Sequence, residues 1–364
     1  MSTTTGAAAP SALGAAPAKA GIILTTLILG AMVANINTSI SNVALPSIGS
    51  ALNATDTQLT GITDAYQLGI AATVLYLGAV GDRYGRKRML LLGAFLCVPF
   101  SLMSAWSPTA VFLIGAQIAV GVSGGMLYPT TLSMITALWR GKKLTAAIAL
   151  WTGIGTGASV LGPILGGWLL GNYWWGSVFL ITVPLAIVVL VLGFVVLPKS
   201  AAEHNEPVDH QGGTLSVIMI SSLVLGIVML PQGITITVGV LFAVMLVSGF
   251  LFVRRERRAP NPLFDLKMAA IPTFWVAFVA GLVAFGALVG AMFIGQQFTQ
   301  NVLMYTPLHA VLLTLALAIG MVPAGGVCGQ VYWCQGHSVD VPDRSGICGD
   351  WLRRDPHHLA SRDQ

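Results

Sequence analysis

The charged residues of this chain fall in clusters separated by long uncharged stretches. No Asp, Glu, Lys or Arg occurs at 89–139, 144–198, 210–253 or 268–339. Within these gaps the apolar runs break at Pro, Gly, Asn and small polar clusters into segments of about 20 residues, the length a helix needs to cross roughly 30 Å of hydrocarbon. Ten spans are predicted, at 22–45, 61–80, 89–106, 110–138, 144–170, 177–198, 214–231, 234–253, 273–300 and 308–326. Residues 1–20, mostly Ala, Thr, Ser and Pro, read as a disordered tail. The first span is too long, and lacks the flanking cleavage pattern, to be a secretory signal.

Basic residues give the spans a direction. Arg83, Arg86, Lys87 and Arg88 follow the second span, Arg140, Lys142 and Lys143 the fourth, and Lys199 the sixth. Arg254, Arg255, Arg257, Arg258 and Lys267 follow the eighth, whereas the loops after odd-numbered spans carry no Lys or Arg. By the positive-inside rule the even loops and the N-terminus are cytoplasmic, which predicts a multi-pass protein of the plasma membrane. Because the basic loops lie between lipid-spanning segments, they are read as topological and no nucleic-acid partner is expected.

Composition agrees. Charged residues make up 9% of the chain, against roughly 25% in a soluble domain. The 18 Lys and Arg and 13 Asp and Glu cannot coat a globule that is 55% apolar, with a mean hydropathy of +0.81, so the lipid bilayer must act as solvent. The 42 glycines suit helices that pack closely in a membrane. No nucleophile, base and orienting group cluster in any span or loop, and no Gly-rich phosphate loop follows a strand, so neither a catalytic role nor a cofactor is expected.

The loop after the second span reads GAVGDRYGRK at 78–87. Gly78 and Gly85, seven apart, let helix ends approach and turn tightly. Asp82 stands beside Arg83, Arg86 and Lys87, where it can accept charge-assisted hydrogen bonds and lock neighbouring helices at the cytoplasmic face. This pattern resembles the loop signature of the major facilitator superfamily. GPILGG in the fifth span (Gly162, Pro163, Gly166, Gly167) looks like the antiporter motif of that superfamily's drug-export branches, with Pro163 expected to kink the helix. NTSISNVALP at 37–46 and WWGSVFLITVP at 174–184 are similar to first- and sixth-span segments of the fourteen-span drug/proton antiporter branch.

The resemblance runs from about 22 to 326. It implies an all-α integral membrane protein of the major facilitator fold, with a complete N-terminal six-helix half, two extra linker helices and an incomplete C-terminal half. Laid on this sequence, it gives a cytoplasmic N-terminus at 1–20, a six-helix bundle at 21–198, a cytoplasmic linker at 199–213 and the two extra helices at 214–253. A basic linker at 254–272 and the first two helices of the second half at 273–326 follow. The function implied is proton-coupled efflux of drug-like hydrophobic or cationic small molecules by alternating access.

Two departures from the branch touch the chemistry of coupling. Asn37 stands where the branch usually carries an Asp and Gln117 where it carries an Arg, and an amide does not titrate near neutral pH. Asp64, near the outer end of the second span, is then the candidate for proton coupling, because a carboxylate inside a membrane is costly and functional by default. Polar or aromatic residues able to face a central substrate cavity are Asn37, Gln67, Gln117, Tyr128, Gln296, Gln297 and Asn301. The absence of a buried basic residue disfavours anionic substrates.

Residues 327–364 break the composition, with five Asp, four Arg, three of the four cysteines and three histidines. Cys328, Cys334, His337 and Cys348 lack the paired spacing of a zinc site, so no metal is expected. A one-nucleotide slip of the reading frame near residue 330 is the sharper expectation. Read one base later, the codon of Trp333 gives Gly and that of Gln335 gives Lys or Arg, which restores after Gly326 the intervals that separate Gly78, Gly85 and Lys87. On this reading the chain is a fourteen-span design interrupted after its tenth span. The alternative function is then a truncated, transport-inactive product.

Overall fold

The computed structural model describes residues 19–198, 208–230, 233, 235–259, 263 and 271–303. Six helices form a first group: α1 (Ala20–Leu52), α2 (Asp56–Tyr84), α3 (Arg86–Ala105), α4 (Ala110–Leu138), α5 (Gly141–Asn172) and α6 (Thr182–Val196), the last entered through a 3-10 turn at Trp175–Ile181. Three more follow, α7 (His210–Met229), α8 (Ile236–Glu256) and α9 (Pro272–Asn301). The expected tenth span at 308–326, most of the N-terminal tail and all of 327–364, with its cysteines and histidines, lie outside the described residues.

Two helices outrun their predicted spans where a polar residue caps the N-terminus. Thr55 and Gln58 form a reciprocal capping box that starts α2 five residues before the apolar run. Asp209 caps α7 through the N–H groups of Gln211 and Gly212, so that helix begins at His210 rather than at 214. At the other extreme, Gly85 has φ of 115° and alone separates α2 from α3, a corner that a side chain would strain. The sixth span is not one helix, since its first turns are 3-10. Pro163 lies inside α5 without ending it.

Among the described residues, seven segments are long and apolar enough to cross a membrane: α1, α3, α4, most of α5, the 3-10 turn with α6, α7 and α8. The 29-residue α2 falls short of that apolarity, carrying Asp64, Gln67 and Asp82 along its length. Polar side chains inside the helices return their hydrogen bonds to their own backbone. In α1, Thr25, Thr26, Asn35, Asn37, Thr38 and Ser39 all donate to carbonyls three or four residues back. A lipid-solvated helix can carry them on that condition, because hydrocarbon offers no other partner.

Within the bundle α2 packs most extensively on α4, α1 on α5, and α3 on α4 and α6. The α2–α4 crossing is a contact of backbones. A Cβ on Gly121 would fall well inside van der Waals distance of the Tyr66 carbonyl oxygen, and one on Gly69 would do the same to the Ile118 carbonyl. Two apolar clusters follow one another along α1. One gathers on Ile23 to Val33 with Leu90, Leu127, Ile135 and Val189, the other on Ile36 to Ile48 with Ile62, Leu113 and Phe179. Beyond the bundle, α7 pairs with α8 and docks on α2.

Candidate functional site

The basic corner between α2 and α3 gathers four helices. Asp82, near the end of α2, accepts from Arg86 Nε on α3 at 2.7 Å and from Ser133 Oγ on α4 at 2.6 Å, both on the same oxygen. The Arg86 side chain is 9% exposed and that of Asp82 46%, so the carboxylate neutralises a cation that the fold has largely withdrawn from water. Lys87 faces another way, donating to the Phe194 and Leu197 carbonyls at 2.8 and 2.6 Å. Those are orphan carbonyls at the end of α6, where a cation also meets the negative end of the helix dipole. Gly78 lies under Pro129 of α4, Gly85 makes the corner, and Arg83 belongs to a shallow groove with Asp82, Gly78 and Leu263.

The glycines of the fifth span divide by position. Gly162 presses on α1, where a Cβ would run into Ser39 Oγ, and Gly166 lies in ordinary contact range of Ile40 and Val43. Gly167 has open space around it, and Pro163 sits between the two groups.

Deeper in the bundle, a row of buried polar groups joins three helices. The Asn37 amide donates from Nδ2 to the Val33 carbonyl at 3.0 Å, and its Oδ1 accepts from Thr182 Oγ1 on α6 at 3.5 Å. Thr182 Oγ1 is 3.3 Å from Ser101 Oγ on α3, which lies 3.8 Å from Cys97 Sγ. Asn37 is thereby engaged between helices. Gln117 differs: it is 1% exposed, and neither its Oε1 nor its Nε2 has a partner among the described residues. The Ser41 Oγ is also buried without one.

Ser41 and Gln117 stand at the same depth. Tyr66 Oη donates to the Ala34 carbonyl of α1 at 2.9 Å and lies 2.8 Å from where a Cβ on Gly124 of α4 would be, which aligns residue 34 with residue 124. Because α1 and α4 run in opposite directions, seven residues along each, two helical turns, bring Ser41 level with Gln117. Each unsatisfied buried amide or hydroxyl costs about 1–3 kcal/mol, and two such groups fall at this one level of the bundle.

Asp64 lies two turns into α2, half-buried and with no hydrogen-bond or ion-pair partner among the described residues. Gln67 is exposed on α2. Tyr128 is at the edge of exposure and its ring packs on Trp151, with centroids 5.0 Å apart, while Trp151 Nε1 donates to Thr131 Oγ1 at 3.2 Å. Gln296, Gln297 and Asn301 lie on α9, and their side chains are outside the described residues.

Sequence reasoning missed Ser133, Thr182, Ser101 and Tyr66, which complete these networks from distant parts of the chain. It also missed the attachment of α7. Tyr76 Oη of α2 is 2.7 Å from His210 Nδ1, and the Tyr76 ring fills the space over Gly213. Asp209 pairs with Arg255 of α8, Nε to Oδ2 at 2.9 Å and a terminal guanidinium nitrogen to Oδ1 at 3.3 Å. Burial pushes the Asp209 carboxyl up, but the Arg255 bonds and the Gly212 and Gln211 N–H groups outweigh it and hold the group below the usual carboxylate value. The one available signal was the cap pattern of DHQGG.

Comparison with known proteins points in one direction. The profile of the Major Facilitator Superfamily matches residues 27–334. The multidrug efflux pump LfrA of Mycolicibacterium smegmatis is 35% identical over 311 residues, which cover 85% of this chain and 62% of that protein. The methyl viologen resistance protein SmvA of Salmonella typhimurium is 30% identical over 312 residues, 85% of this chain and 63% of the relative. The multidrug resistance protein Stp of Mycobacterium tuberculosis is 29% identical over 335 residues, 89% and 61% of the two. The chain therefore spans a little over three fifths of the length of these relatives. Among solved structures, the proton:xylose symporter XylE matches with a TM-score of 0.57 over 86% of this chain and 69% of that one, at 13% identity, a likeness of fold.

Proposed function

The chain belongs to the Major Facilitator Superfamily, and from that premise we propose that it serves proton-coupled efflux of hydrophobic or cationic small molecules by alternating access. It would do so in the plasma membrane, with the basic loops and the N-terminus on the cytoplasmic side. The names of LfrA, a multidrug efflux pump, and Stp, a multidrug resistance protein, support the substrate class. The observation that carries the reading is the placement of charge. Among the described residues, Asp64 is the only acid more than one turn from the end of a membrane helix, and the buried polar groups at Asn37, Ser41 and Gln117 are all neutral.

In this scheme a lone carboxylate in a poorly solvated site favours either a proton or a cationic substrate. Exclusion of one by the other gives exchange, because each ligand then biases the alternating states through its own differential affinity. Gln117 offers a donor and an acceptor, and Ser41 a hydroxyl, to a polar atom of the substrate without adding charge. The glycine face of α5 against α1 and the Asp82 corner would set how the bundle holds together as it moves.

The test is to express the chain in an efflux-deficient bacterial host and follow accumulation of a fluorescent lipophilic cation over a range of external pH. We expect accumulation to fall severalfold below the empty host, and Asp64→Asn to restore it and flatten the pH dependence. Accumulation equal to that of the empty host would overturn efflux by this chain. An unchanged pH profile in Asp64→Asn would remove Asp64 from the coupling step.

A further inference from the structure

The α7–α8 pair carries an exposed apolar groove of about 400 Å³, lined by Leu215 and Ile218 on α7 and by Val240, Val244, Val247 and Leu251 on α8. Val247 is 59% exposed and Val240 55%, so the groove opens away from the six-helix bundle. From Val240 to Leu251 it follows eleven residues of helix, roughly 17 Å, which is about the depth of one bilayer leaflet. Its walls supply no charge, and what continues past its end does.

Arg254 lies three residues beyond Leu251 on the same stripe of α8, and Arg258 two residues past the end of that helix at Glu256; both are exposed. Arg255, between them, is committed to Asp209. Arg254 and Arg258 have no ion-pair partner among the described residues. On α7 the stripe of Leu215 and Ile218 continues one turn back to Gln211 and Thr214, both exposed. The Thr214 hydroxyl donates to the Gln211 carbonyl, which leaves its oxygen lone pairs and the Gln211 amide for a polar ligand. One end of the groove is thus a slot for hydrocarbon and the other a cationic, hydrogen-bonding mouth at headgroup level.

We propose that this groove binds an anionic glycerophospholipid, with an acyl chain along Val240–Leu251 and the phosphate between Arg254 and Arg258. Charge complementarity selects the headgroup, since each arginine near the membrane surface contributes about 1 kcal/mol toward an anionic lipid, roughly fivefold in affinity. Burial of the chain against Val, Leu and Ile gives no headgroup preference of its own. The site is independent of what the protein transports.

Native mass spectrometry of the full chain, extracted from vesicles of equal parts phosphatidylglycerol and phosphatidylcholine, tests this. The expected result is lipid adducts on the monomer enriched on the order of thirtyfold in phosphatidylglycerol, from two arginines at about fivefold each. The double substitution Arg254→Gln, Arg258→Gln brings the enrichment close to one. Ala243 also lines the groove, and Ala243→Phe, which fills it and leaves both arginines, lowers adducts of both lipids. Equal retention of the two lipids by the unaltered chain would overturn the proposal, as would full adduct occupancy in Ala243→Phe. A dimer free of lipid adducts would place a second copy in the groove and overturn it as well.

Discussion

The six-helix bundle and the α7–α8 pair are both apolar helices in a membrane, yet they are held by different means. The bundle is tied by contacts that admit no slack: backbones touching at Gly69 and Gly121, Gly162 against Ser39, and an Asp82 oxygen shared by Arg86 and Ser133. The α7–α8 pair meets the bundle along α2 and is fastened near its basic end, by Tyr76 to His210 and by the Asp209–Arg255 pair that fixes α8 to the start of α7. In a solvent that gives helices no hydrophobic reason to associate, close backbone packing and hydrogen bonds decide which parts move together. The bundle is therefore one body, and the pair is an attachment to one of its helices.

The largest expected effect comes from breaking the bundle where it cannot yield. Gly121→Leu places a side chain against the Tyr66 carbonyl, and backbone cannot move aside as a side-chain tip can. We expect a loss of about 3 kcal/mol or more, seen as aggregation or a much lower melting temperature in detergent. A variant as stable as the unaltered chain would show that the crossing is looser than the contact implies.

A smaller effect isolates the attachment. Tyr76→Phe removes one exposed hydrogen bond worth about 1 kcal/mol. Amide exchange in α7 and α8 should then rise about fivefold while α1–α6 stay unchanged. Equal changes in both regions would mean that they form a single cooperative unit, contrary to the contrast drawn above.

The smallest effect is set by acidity. A carboxyl held below its ordinary value contributes stability that is complete above that value and is lost as pH falls through the lowered one. The Asp209 clasp should therefore hold from neutral pH down to the ordinary value of 3.8 and weaken only below it. Limited proteolysis near the start of α7 at pH 5 and pH 3 measures this, with Asp209→Asn as the variant that shows no further loss on acidification. Weakening already at pH 5 would mean that some other group controls the joint.

Most of the helices were readable because lipid imposes them as apolar runs of spanning length; α2 was found despite Asp64 within it, and the 3-10 entry at Trp175–Ile181 into the sixth span was not foreseen. The motif residues at 78–87 were readable as a corner, but not their partners. Ser133 lies 51 residues after Asp82 and is an unremarkable serine in an apolar run. Lys87 reaches carbonyls 107 and 110 residues away that any sequence would supply. The substitutions at Asn37 and Gln117 stood out for the charges they lack, yet the difference between them appears only in three dimensions. One amide is engaged with Thr182, and the other has no partner among the described residues.

Arg86 and Lys87 are neighbours in the chain with opposite commitments, one to α2 and the other to α6. Consecutive residues on a helix point about 100° apart, and that angle sends the two cations to separate anchors. The loop is consequently far less tolerant of a change in length than of a change in charge. Inserting one residue between Gly85 and Arg86 would rotate both cations off their partners at once, whereas a swap of Arg for Lys would leave each cation on its own side of the helix. Spacing is thus the quantity under constraint here, and insertions should be rarer than substitutions among functional variants of this corner.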